Sequence, residues 1–383
     1  MALNNYKLGD LLMRNSEENK DLIYGISDVR GVRNTKGISN TKIDVSGRNL
    51  KTFLVVRPGG FIFNHRVHDK LGLGYNTSDE TYIFTNDYVS FYVKPEVKNR
   101  ILLPDYLYMW YLRPEFDRYM LFKTYGSATL FFSWDNMCEL EIELPDLPTQ
   151  QKYVDVYNAM VANQQAYERG LEDLKLTCDA YIEDLRKQIP PEKIGKYIEP
   201  EETTNADLQF SIADVRGVSI EKKFIETKAD MEGVSLAPYL LIQPNEFAYV
   251  PVTSRNGGKI SIALNDSDKT YICSSSYVVF RSRNIEELLP QYLMLFFSRN
   301  EFNRYSRFHS WGSAREAFDW DAMCDVQIPI PDIEMQKSIA EMYTVYNKRK
   351  KINEQLKAQI KNICPILIRG SLEDGGEPNG EPA

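Results

Sequence analysis

The feature that most constrains the fold is an internal repeat with an offset of 186 residues. The segment Glu115–Cys138 aligns without gaps with Glu301–Cys324, and 13 of the 24 aligned positions are identical. The phrase "YGISDVRGV", which starts at Tyr24, recurs at the same offset as "FSIADVRGV", which starts at Phe210. Because the sequence of one folding unit occurs twice, the 383 residues are expected to form two similar domains.

Each copy has the pattern of an α+β domain. Its first part contains strand-like runs such as "TFLVV" and "TYIFTNDYVSFYV", which are rich in β-branched and aromatic residues and are broken by Gly, Pro and Asn. Helices with proline in the first turn are then predicted over Pro104–Phe116 and Pro290–Phe302. Strands followed by helices predict a mixed, α+β fold for each copy.

A long helix is predicted after each copy. The segment Pro148–Ile189 is interrupted only by Gly170, and apolar residues recur in steps of three and four, with Gln164 in the one vacant place: Tyr157, Met160, Tyr167, Leu171, Leu174, Cys178, Tyr181 and Leu185. The second helix, expected to end near Pro365, has a similar stripe: Ile339, Met342, Tyr346, Ile352, Leu356, Ile360 and Ile363. We expect the two stripes to pair with each other; pairing with a helix of another protein is the alternative.

These patterns divide the chain into five segments. The last of them is acidic and rich in Gly and Pro, which favours disorder. The predicted segments are a first domain over 1–147, a helix over 148–190, a second domain over 191–332, a helix over 333–369 and a disordered tail over 370–383.

Composition restricts the class of protein. The net charge of −8 argues against nucleic-acid binding, but Arg30–Lys70 holds nine Lys or Arg residues against the two acids Asp44 and Asp69. No apolar run is long enough for a membrane span and the N-terminus has no signal pattern. The five cysteines are widely spaced, so we expect mostly buried thiols in a reducing cytoplasm.

Two motifs add a family resemblance. "ELPDLPTQQKYVDVYNAM" (Glu143–Met160) and "PIPDIEMQKSIAEMYTVY" (Pro329–Tyr346) each follow a domain directly. With this order of domains and helices, the chain resembles over essentially its whole length the specificity subunit of Type I restriction–modification enzymes. The second motif departs from the first because Glu334 replaces Pro148, which puts the start of the second helix in doubt.

The resemblance implies a fold and a set of partners. It implies two target-recognition domains, each reading one half of a split site in double-stranded DNA, with the helices as an antiparallel coiled coil that sets the spacing. A helix of about 42 residues is about 63 Å long, against 34–36 Å for one turn of DNA. It also implies docking of two methyltransferase subunits, and of restriction subunits in the full complex. The chain itself would be non-catalytic and free of cofactors, with S-adenosylmethionine on the methyltransferase subunits and no membrane contact.

The repeat also selects candidate contact residues, because polar positions that differ between matched loops suit the reading of different half-sites. The base-reading candidates are Asn64, His65, Arg66, Lys123, Tyr125, Thr129, Ser254, Arg255, Asn256, His309, Trp311 and Arg315. The phosphate candidates are Arg30, Lys36, Arg57, Ser127, Arg216, Lys259 and Ser313. Simple divergence of surfaces is the alternative for the first set, and an ion pair with Asp28 or Asp214 is the alternative for Arg30 and Arg216.

Catalytic motifs are missing from the sequence. It has no Asn/Asp-Pro-Pro-Tyr/Phe methyltransferase motif, no Walker loop and no nuclease-like acidic cluster. A metal site at His65 and His68 is disfavoured, and Trp134 and Trp320 are expected in the core rather than as stacking platforms. Two other functions stay open: a protein-binding scaffold without DNA contact, which the acidic balance favours, and a DNA-mimicking inhibitor, which the basic stretch disfavours.

Overall fold

The fold places one copy of the repeat in each of two units. The computed structural model describes residues 3–41, 44–126, 129–227, 229–252, 258–312 and 315–376. Unit 1 comprises Met1–Ala166 and Asn353–Ala383, and unit 2 comprises Tyr167–Ile352. Each unit therefore combines one repeated domain with parts of both long helices.

Antiparallel strand pairs form the framework of unit 1. A four-stranded sheet has the order β2-β10-β6-β8, and smaller pairs are β1 with β12, β3 with β4, β5 with β9, and β7 with β11. The bounds are β1 (Asn4–Lys7), β2 (Leu12–Asn15), β3 (Arg30–Val32), β4 (Ile38–Asn40), β5 (Leu54–Val56), β6 (Phe61–Asn64), β7 (Arg66–Val67), β8 (Leu73–Tyr75), β9 (Tyr82–Phe84), β10 (Tyr88–Val93), β11 (Leu130–Phe131) and β12 (Glu141–Leu144).

Unit 2 repeats this arrangement. Its four-stranded sheet has the order β14-β21-β18-β19, and its pairs are β13 with β22, β15 with β16, and β17 with β20. The bounds are β13 (Glu192–Lys193), β14 (Ile198–Glu201), β15 (Arg216–Val218), β16 (Phe224–Glu226), β17 (Leu240–Ile242), β18 (Phe247–Tyr249), β19 (Ile262–Leu264), β20 (Tyr271–Cys273), β21 (Val278–Ser282) and β22 (Gln327–Ile328).

The helices follow the same duplication, and the predicted α+β class is confirmed. The bounds are α1 (Leu8–Leu11), α2 (Pro104–Tyr111), α3 (Pro114–Lys123), α4 (Trp134–Cys138), α5 (Leu147–Gln188), α6 (Pro290–Ser298), α7 (Asn300–Phe308), α8 (Trp320–Cys324) and α9 (Ile333–Gly376). Four 3-10 turns lie at Ile26–Asp28, Leu50–Thr52, Ile194–Lys196 and Ile212–Asp214. Among the described residues, no helix has the length and apolarity that a membrane span requires.

Aromatic side chains fill the core of each domain. In unit 1 Phe61 stacks on Phe91, and in unit 2 Phe247 stacks on Phe280. Trp134 packs on Phe91 and Trp320 on Phe280, so their predicted place at the core is confirmed. Burying each such ring contributes about 2 kcal/mol. All five cysteines are free and either buried or half-buried, as expected from their spacing.

The motif at the start of each long helix forms a local lock. Gln150 is fully buried; its amide donates to the carbonyls of Ile101 and Pro145, and its Oε1 accepts from Leu103 N. Gln336 makes the equivalent bonds to Glu287, Pro331 and Leu289.

An aspartate caps both helices. Asp146 accepts from Thr149 N and Asp332 from Met335 N, each at 2.9 Å. This cap acts in both copies, so the replacement of Pro148 by Glu334 leaves the start of α9 intact.

The two long helices pair antiparallel, as predicted. In unit 1 the early part of α5 contacts the late part of α9: Lys152 binds Asp374 at 2.7 Å, and Gln164 binds Asn353 at 2.9 Å. In unit 2 the late part of α5 contacts the early part of α9, where Ile182 and Ile339 share one core.

Two predicted seam positions are wrong by one residue. Tyr181 and Ile352 are exposed, and Ile182 and Asn353 are buried in their place. A helix of 3.6 residues per turn drifts against a strict heptad, which moves the seam to the next position.

The second long helix extends further than predicted. It continues through Pro365 to Gly376, so the prediction that residues 370–376 belong to a disordered tail is wrong. Ser371 is buried and bonds to the Tyr106 hydroxyl at 2.6 Å, and Asp374 accepts from Tyr153 at 2.9 Å. These contacts with the first domain hold the last turns in place. Residues 377–383 lie outside the described part of the chain.

Candidate nucleic-acid interface

Two loops selected from the sequence lie side by side in unit 1. Strand β11 pairs with β7 in a register that places Phe131 opposite Arg66, and Phe132 N donates to the His65 carbonyl at 2.9 Å. The loop that begins at Asn64 therefore borders the hairpin that contains Tyr125 and Thr129. Base-reading candidates far apart in sequence are thus brought together on one surface.

The hairpin has the same frame in both units. Tyr125 and Phe131 exchange two backbone hydrogen bonds of 3.1 and 2.8 Å, and Trp311 and Ala317 exchange two of 3.0 and 2.9 Å. Gly126 has φ of 120°, and a Cβ there would lie 2.1 Å from the Thr129 carbonyl oxygen. Only glycine fits this left-handed turn.

The same restriction holds in unit 2. Gly312 has φ of 137°, and its Cβ would lie 2.4 Å from the Arg315 carbonyl oxygen. The glycine shared by the two hairpins is thus required by the backbone. Ser127 and Ser313 themselves lie outside the described residues, so their phosphate role stays a prediction.

The candidates of unit 1 differ in how free their side chains are. Arg66 is about half exposed and lies 3.7 Å from Asp87, and Tyr125 is 59% exposed. His65 stacks on Phe131 with 5.4 Å between ring centroids. The Asn64 side chain accepts from Arg66 N and shapes the turn. The structure also shows that Lys123 binds Glu139 at 3.3 Å and that Thr129 is exposed.

Unit 2 presents a similar but chemically different surface. An isolated bridge joins Val252 to Ala317, so the segment that ends at Val252 borders the hairpin. Trp311 is 69% exposed, Arg315 is exposed, and the His309 ring lies tilted against Tyr305, with 4.2 Å between centroids. The base-reading candidates Ser254, Arg255 and Asn256 lie outside the described residues.

The shared arginines are built into the fold. Arg30 Nη1 donates to the carbonyls of Ser27 and Val29, and its guanidinium lies 4.5 Å from the centre of the Tyr82 ring. Arg216 makes the equivalent bonds to Ala213 and Val215 and lies 4.6 Å from the centre of the Tyr271 ring.

The alternative of an ion pair at these arginines is wrong. Asp28 instead accepts from Gly25 N, and Asp214 accepts from Ser211. Carbonyl oxygens and a ring face hold the guanidinium because the carboxylates serve the preceding turn. Contact of Arg30 and Arg216 with phosphate stays a prediction.

The other basic candidates do not form one exposed cluster. Lys36 is wrong as a phosphate candidate, because its side chain is only 4% exposed and binds Asp117 at 2.5 Å inside the domain. Arg57 is half exposed and binds Glu17 at 2.5 Å, and Lys259 is half exposed and binds Glu221 at 3.6 Å. Of these three, Arg57 and Lys259 can exchange their surface partners for phosphate.

Sequence reasoning missed two exposed phenylalanines. Phe122 and Phe308 are 84% and 75% exposed, and they occupy equivalent positions at the ends of α3 and α7. Both are identical in the aligned repeat, so a search for polar positions that differ between the copies does not select them. The helical pattern could have shown them: Phe116 and Met120 form the buried face of α3, and Phe122 does not lie on that face.

The site has no feature of a metal centre in the part of the chain that the structure describes, where no group of His, Cys, Asp and Glu has the geometry to hold a metal ion. The surface offers hydrogen-bond donors, aromatic faces and positive charge beside the hairpin. Groups of these kinds suit contact with DNA.

Comparison with known proteins agrees with this reading. Residues 221–362 match the family described as Type I restriction modification DNA specificity domain. The chain is similar to the HindI specificity subunit of the Type I restriction enzyme of Haemophilus influenzae, with 24% identity over 135 residues. That match covers 35% of this chain and spans 29% of the relative.

A solved structure extends the likeness in fold to the whole chain. The S subunit of a Type I restriction-modification system from M. genitalium has a TM-score of 0.57 and 9% identity, and the match covers 100% of this chain and 97% of that one. The fold defines a class of proteins with two repeated α+β domains and a pair of long helices. Within that class, residues 221–362 match the Type I restriction modification DNA specificity domain, the family that the motifs of the chain resemble.

Proposed function

We propose that this chain is the DNA specificity subunit of a Type I restriction-modification complex and that each domain reads one half of a split site. The observation that carries the proposal is one backbone frame with two different loop surfaces. The Gly126 and Gly312 hairpins have the same hydrogen bonds, and their side chains differ at Tyr125 and Trp311. A backbone that is the same in both domains, with side chains that differ, suits the recognition of two different half-sites on one duplex.

The exposed donors of each hairpin suit base edges. In unit 1, Arg66 has the fork of donors that matches guanine O6 and N7, and it stands on a strand rather than a free loop. In unit 2, the exposed Arg315 supplies the same chemistry, and Arg255 is the further candidate from the sequence. Arg57 and Lys259 serve the phosphate backbone, which positions the protein without reading sequence.

Partners supply the remaining activities in this proposal. Two methyltransferase subunits with S-adenosylmethionine dock on the helix pair and carry out methylation, and restriction subunits join in the full complex. The helix pair sets the spacing of the half-sites, and the complex acts in the cytoplasm. The family description as a DNA specificity domain supports this function over a scaffold without DNA contact.

Overall charge affects how the chain binds. Its net charge of −8 opposes the phosphate backbone, so the chain alone is expected to bind DNA weakly and to gain specificity with its methyltransferase partner. Duplex binding of the chain and of the complex, compared at two salt concentrations, measures this gain.

The decisive experiment maps methylated adenines in cells that carry the chain and its partner subunits. We expect a split motif, relaxed in one half by Arg66→Ala and in the other by Arg255→Ala, with about tenfold loss of discrimination at the affected position. Arg118→Ala and Arg304→Ala are matched controls, since both arginines are exposed at equivalent helix positions. Absence of a split motif contradicts the function; a motif that neither variant alters contradicts the base-reading assignment.

A further inference from the structure

We infer that Phe122 and Phe308 contact the DNA duplex as a sequence-independent pair, one in each half-site. This inference rests on the proposed function and adds a kind of contact that the divergent loops do not supply. The two residues are identical at equivalent positions, whereas their neighbours Lys123 and His309 differ. A side chain that stays the same where the reading residues change suits a feature that both half-sites share.

Exposure of these rings is the first argument. Phe122 is 84% exposed and Phe308 is 75% exposed, so each leaves most of an aromatic face in water. A single exposed apolar residue is ordinary on a protein surface. The same ring exposed at the same place in both units calls for an explanation, since burying an aromatic ring stabilises a fold.

Rigid support is the second argument. Phe122 lies in the last turn of α3 and Phe308 is the last residue of α7, and each helix runs directly into the glycine hairpin. The hairpin carries a second exposed aromatic residue three positions later, Tyr125 in unit 1 and Trp311 in unit 2. Each domain therefore has two exposed rings, one on a helix and one at the start of the hairpin.

Continuity with the candidate surface identifies the occupant. In unit 1 the Tyr125 ring lies 6.1 Å from Phe131, and Phe131 stacks on His65, which precedes Arg66. The row from Tyr125 to Arg66 thus joins the exposed ring three positions after Phe122 to the strongest base-reading candidate. An occupant that reaches Arg66 also reaches the exposed aromatic edge of the hairpin, and under the proposed function that occupant is duplex DNA.

The chemistry fits a contact without base discrimination. Phenylalanine has no hydrogen-bond donor, so it cannot distinguish base edges by polar contacts. Apolar side chains instead pack on deoxyribose or wedge against a base step, and base-aromatic contacts tolerate every base. Phe122 and Phe308 would raise affinity for any duplex and leave the choice of sequence to Arg66 and its counterparts.

The test uses the chain assembled with its methyltransferase subunits. Affinity is measured for a duplex that carries the split motif and for one with both halves scrambled. We expect Phe122→Ala and Phe308→Ala each to weaken binding to both duplexes about tenfold, with their ratio and the methylated motif unchanged. Ile23→Ala and Ile285→Ala, which shorten other exposed apolar side chains of the two domains, are controls expected to bind as wild type.

Three results would overturn the inference. Unchanged affinity for both duplexes removes the contact, a loss confined to the motif duplex makes the residue a base reader, and loss of complex assembly in size-exclusion chromatography makes the surface a protein interface. Thermal melting of each variant checks that the fold is kept. If the wild-type complex itself shows no preference for a split motif, the proposed function fails separately from this inference.

Discussion

The same buried lysine has an acidic partner in one domain and lacks it in the other. In unit 1, Lys36 binds Asp117 at 2.5 Å, and the two side chains are 4% and 15% exposed. In unit 2, Lys222 donates to the Phe297 carbonyl, and the residue equivalent to Asp117 is Asn303. The Asn303 Oδ1 is buried and has no hydrogen-bond partner among the described residues. With an amide at the position of the acid, unit 2 keeps the same fold, but its buried lysine lacks a negatively charged partner.

The difference changes the protonation of the lysine. Burial, followed by the positive charges of Lys259 and Lys175, lowers the pKa of Lys222 to about 7. Burial also lowers the pKa of Lys36, but the hydrogen bond and charge of Asp117 oppose that effect. A buried lysine can therefore be accommodated either by an ion pair or by loss of its proton.

A second pair of equivalent residues shows how each domain meets the helix pair. Arg299 is buried and binds Asp179 at 3.0 Å and also Glu183, both on α5. Arg113 instead lies 4.4 Å from the centre of the Trp110 ring, beside an open cavity of about 610 Å³. Unit 2 therefore links this arginine to a long helix through charge, whereas the contact of Arg113 stays within the first domain.

The largest expected effect concerns what both domains share. Gln150→Ala and Gln336→Ala each remove three hydrogen bonds from a fully buried amide. At about 1 to 1.5 kcal/mol each, the loss is about 4 kcal/mol in the unit concerned. Hydrogen exchange read on peptides of each unit measures it. Gln165→Ala, at an exposed position of α5, is the control. Clearly unequal losses of stability in the two units would show that the two buried glutamines are not equivalent.

The next effect tests the ion pair of unit 1. Asp117→Asn reproduces the arrangement of unit 2 and leaves Lys36 buried without its acid, which should cost about 3 kcal/mol in the free energy of unfolding. Asp155→Asn on the exposed face of α5 is the control. A loss no larger than that of the control would mean that the pair contributes nothing and that the two lysines are held alike.

How far the sequence predicts the structure depends on the kind of residue. The repeat, the two long helices and the neighbouring loops follow from patterns that both copies share. The side-chain partners do not follow: the basic stretch suggested an exposed Lys36, but Asp117 lies 81 positions away and is found only by the fold. Likewise, carbonyls rather than Asp28 hold Arg30, because local turns use the carboxylate first.

The third effect concerns the attachment of unit 2. Arg299→Ala should cost about 2 kcal/mol, less than a fully buried pair because Asp179 and Glu183 are partly exposed. Arg113→Ala should cost about 1 kcal/mol, as it loses only a ring contact and one hydrogen bond. Equal losses of unfolding free energy in the two variants, measured by denaturant unfolding, would contradict the contrast between the ion pairs of Arg299 and the ring contact of Arg113.

The Arg299 effect has a defined pH dependence. The Arg299 hydrogen bond lowers the pKa of Glu183 below its usual value of 4.5, so its contribution is present above that pH and is lost as pH falls through the folded pKa. The cost of Arg299→Ala should therefore shrink in acid. A cost that is constant from pH 7 to pH 3 would assign it to packing alone.

The smallest expected effect comes from giving Lys222 the acidic partner that Lys36 has. Asn303→Asp places a carboxylate beside Lys222 and gives a partner to a site where the amide oxygen has none. We expect unit 2 to gain about 1 kcal/mol near pH 7, since the cost of burying a second charge offsets most of the attraction.

The pH dependence of this gain makes the test specific. Because the folded pKa of Lys222 is about 7 against 10.5 in the unfolded chain, wild-type unit 2 loses stability as pH falls from 10.5 to 7 and is level below 7. The carboxylate raises the folded pKa and should flatten that slope, as should Lys222→Met, which removes the charge. Lys223→Met, at the adjacent position, should keep the wild-type slope. If all three variants keep it, Lys222 is protonated in the domain and the two lysines differ only in their hydrogen bonds.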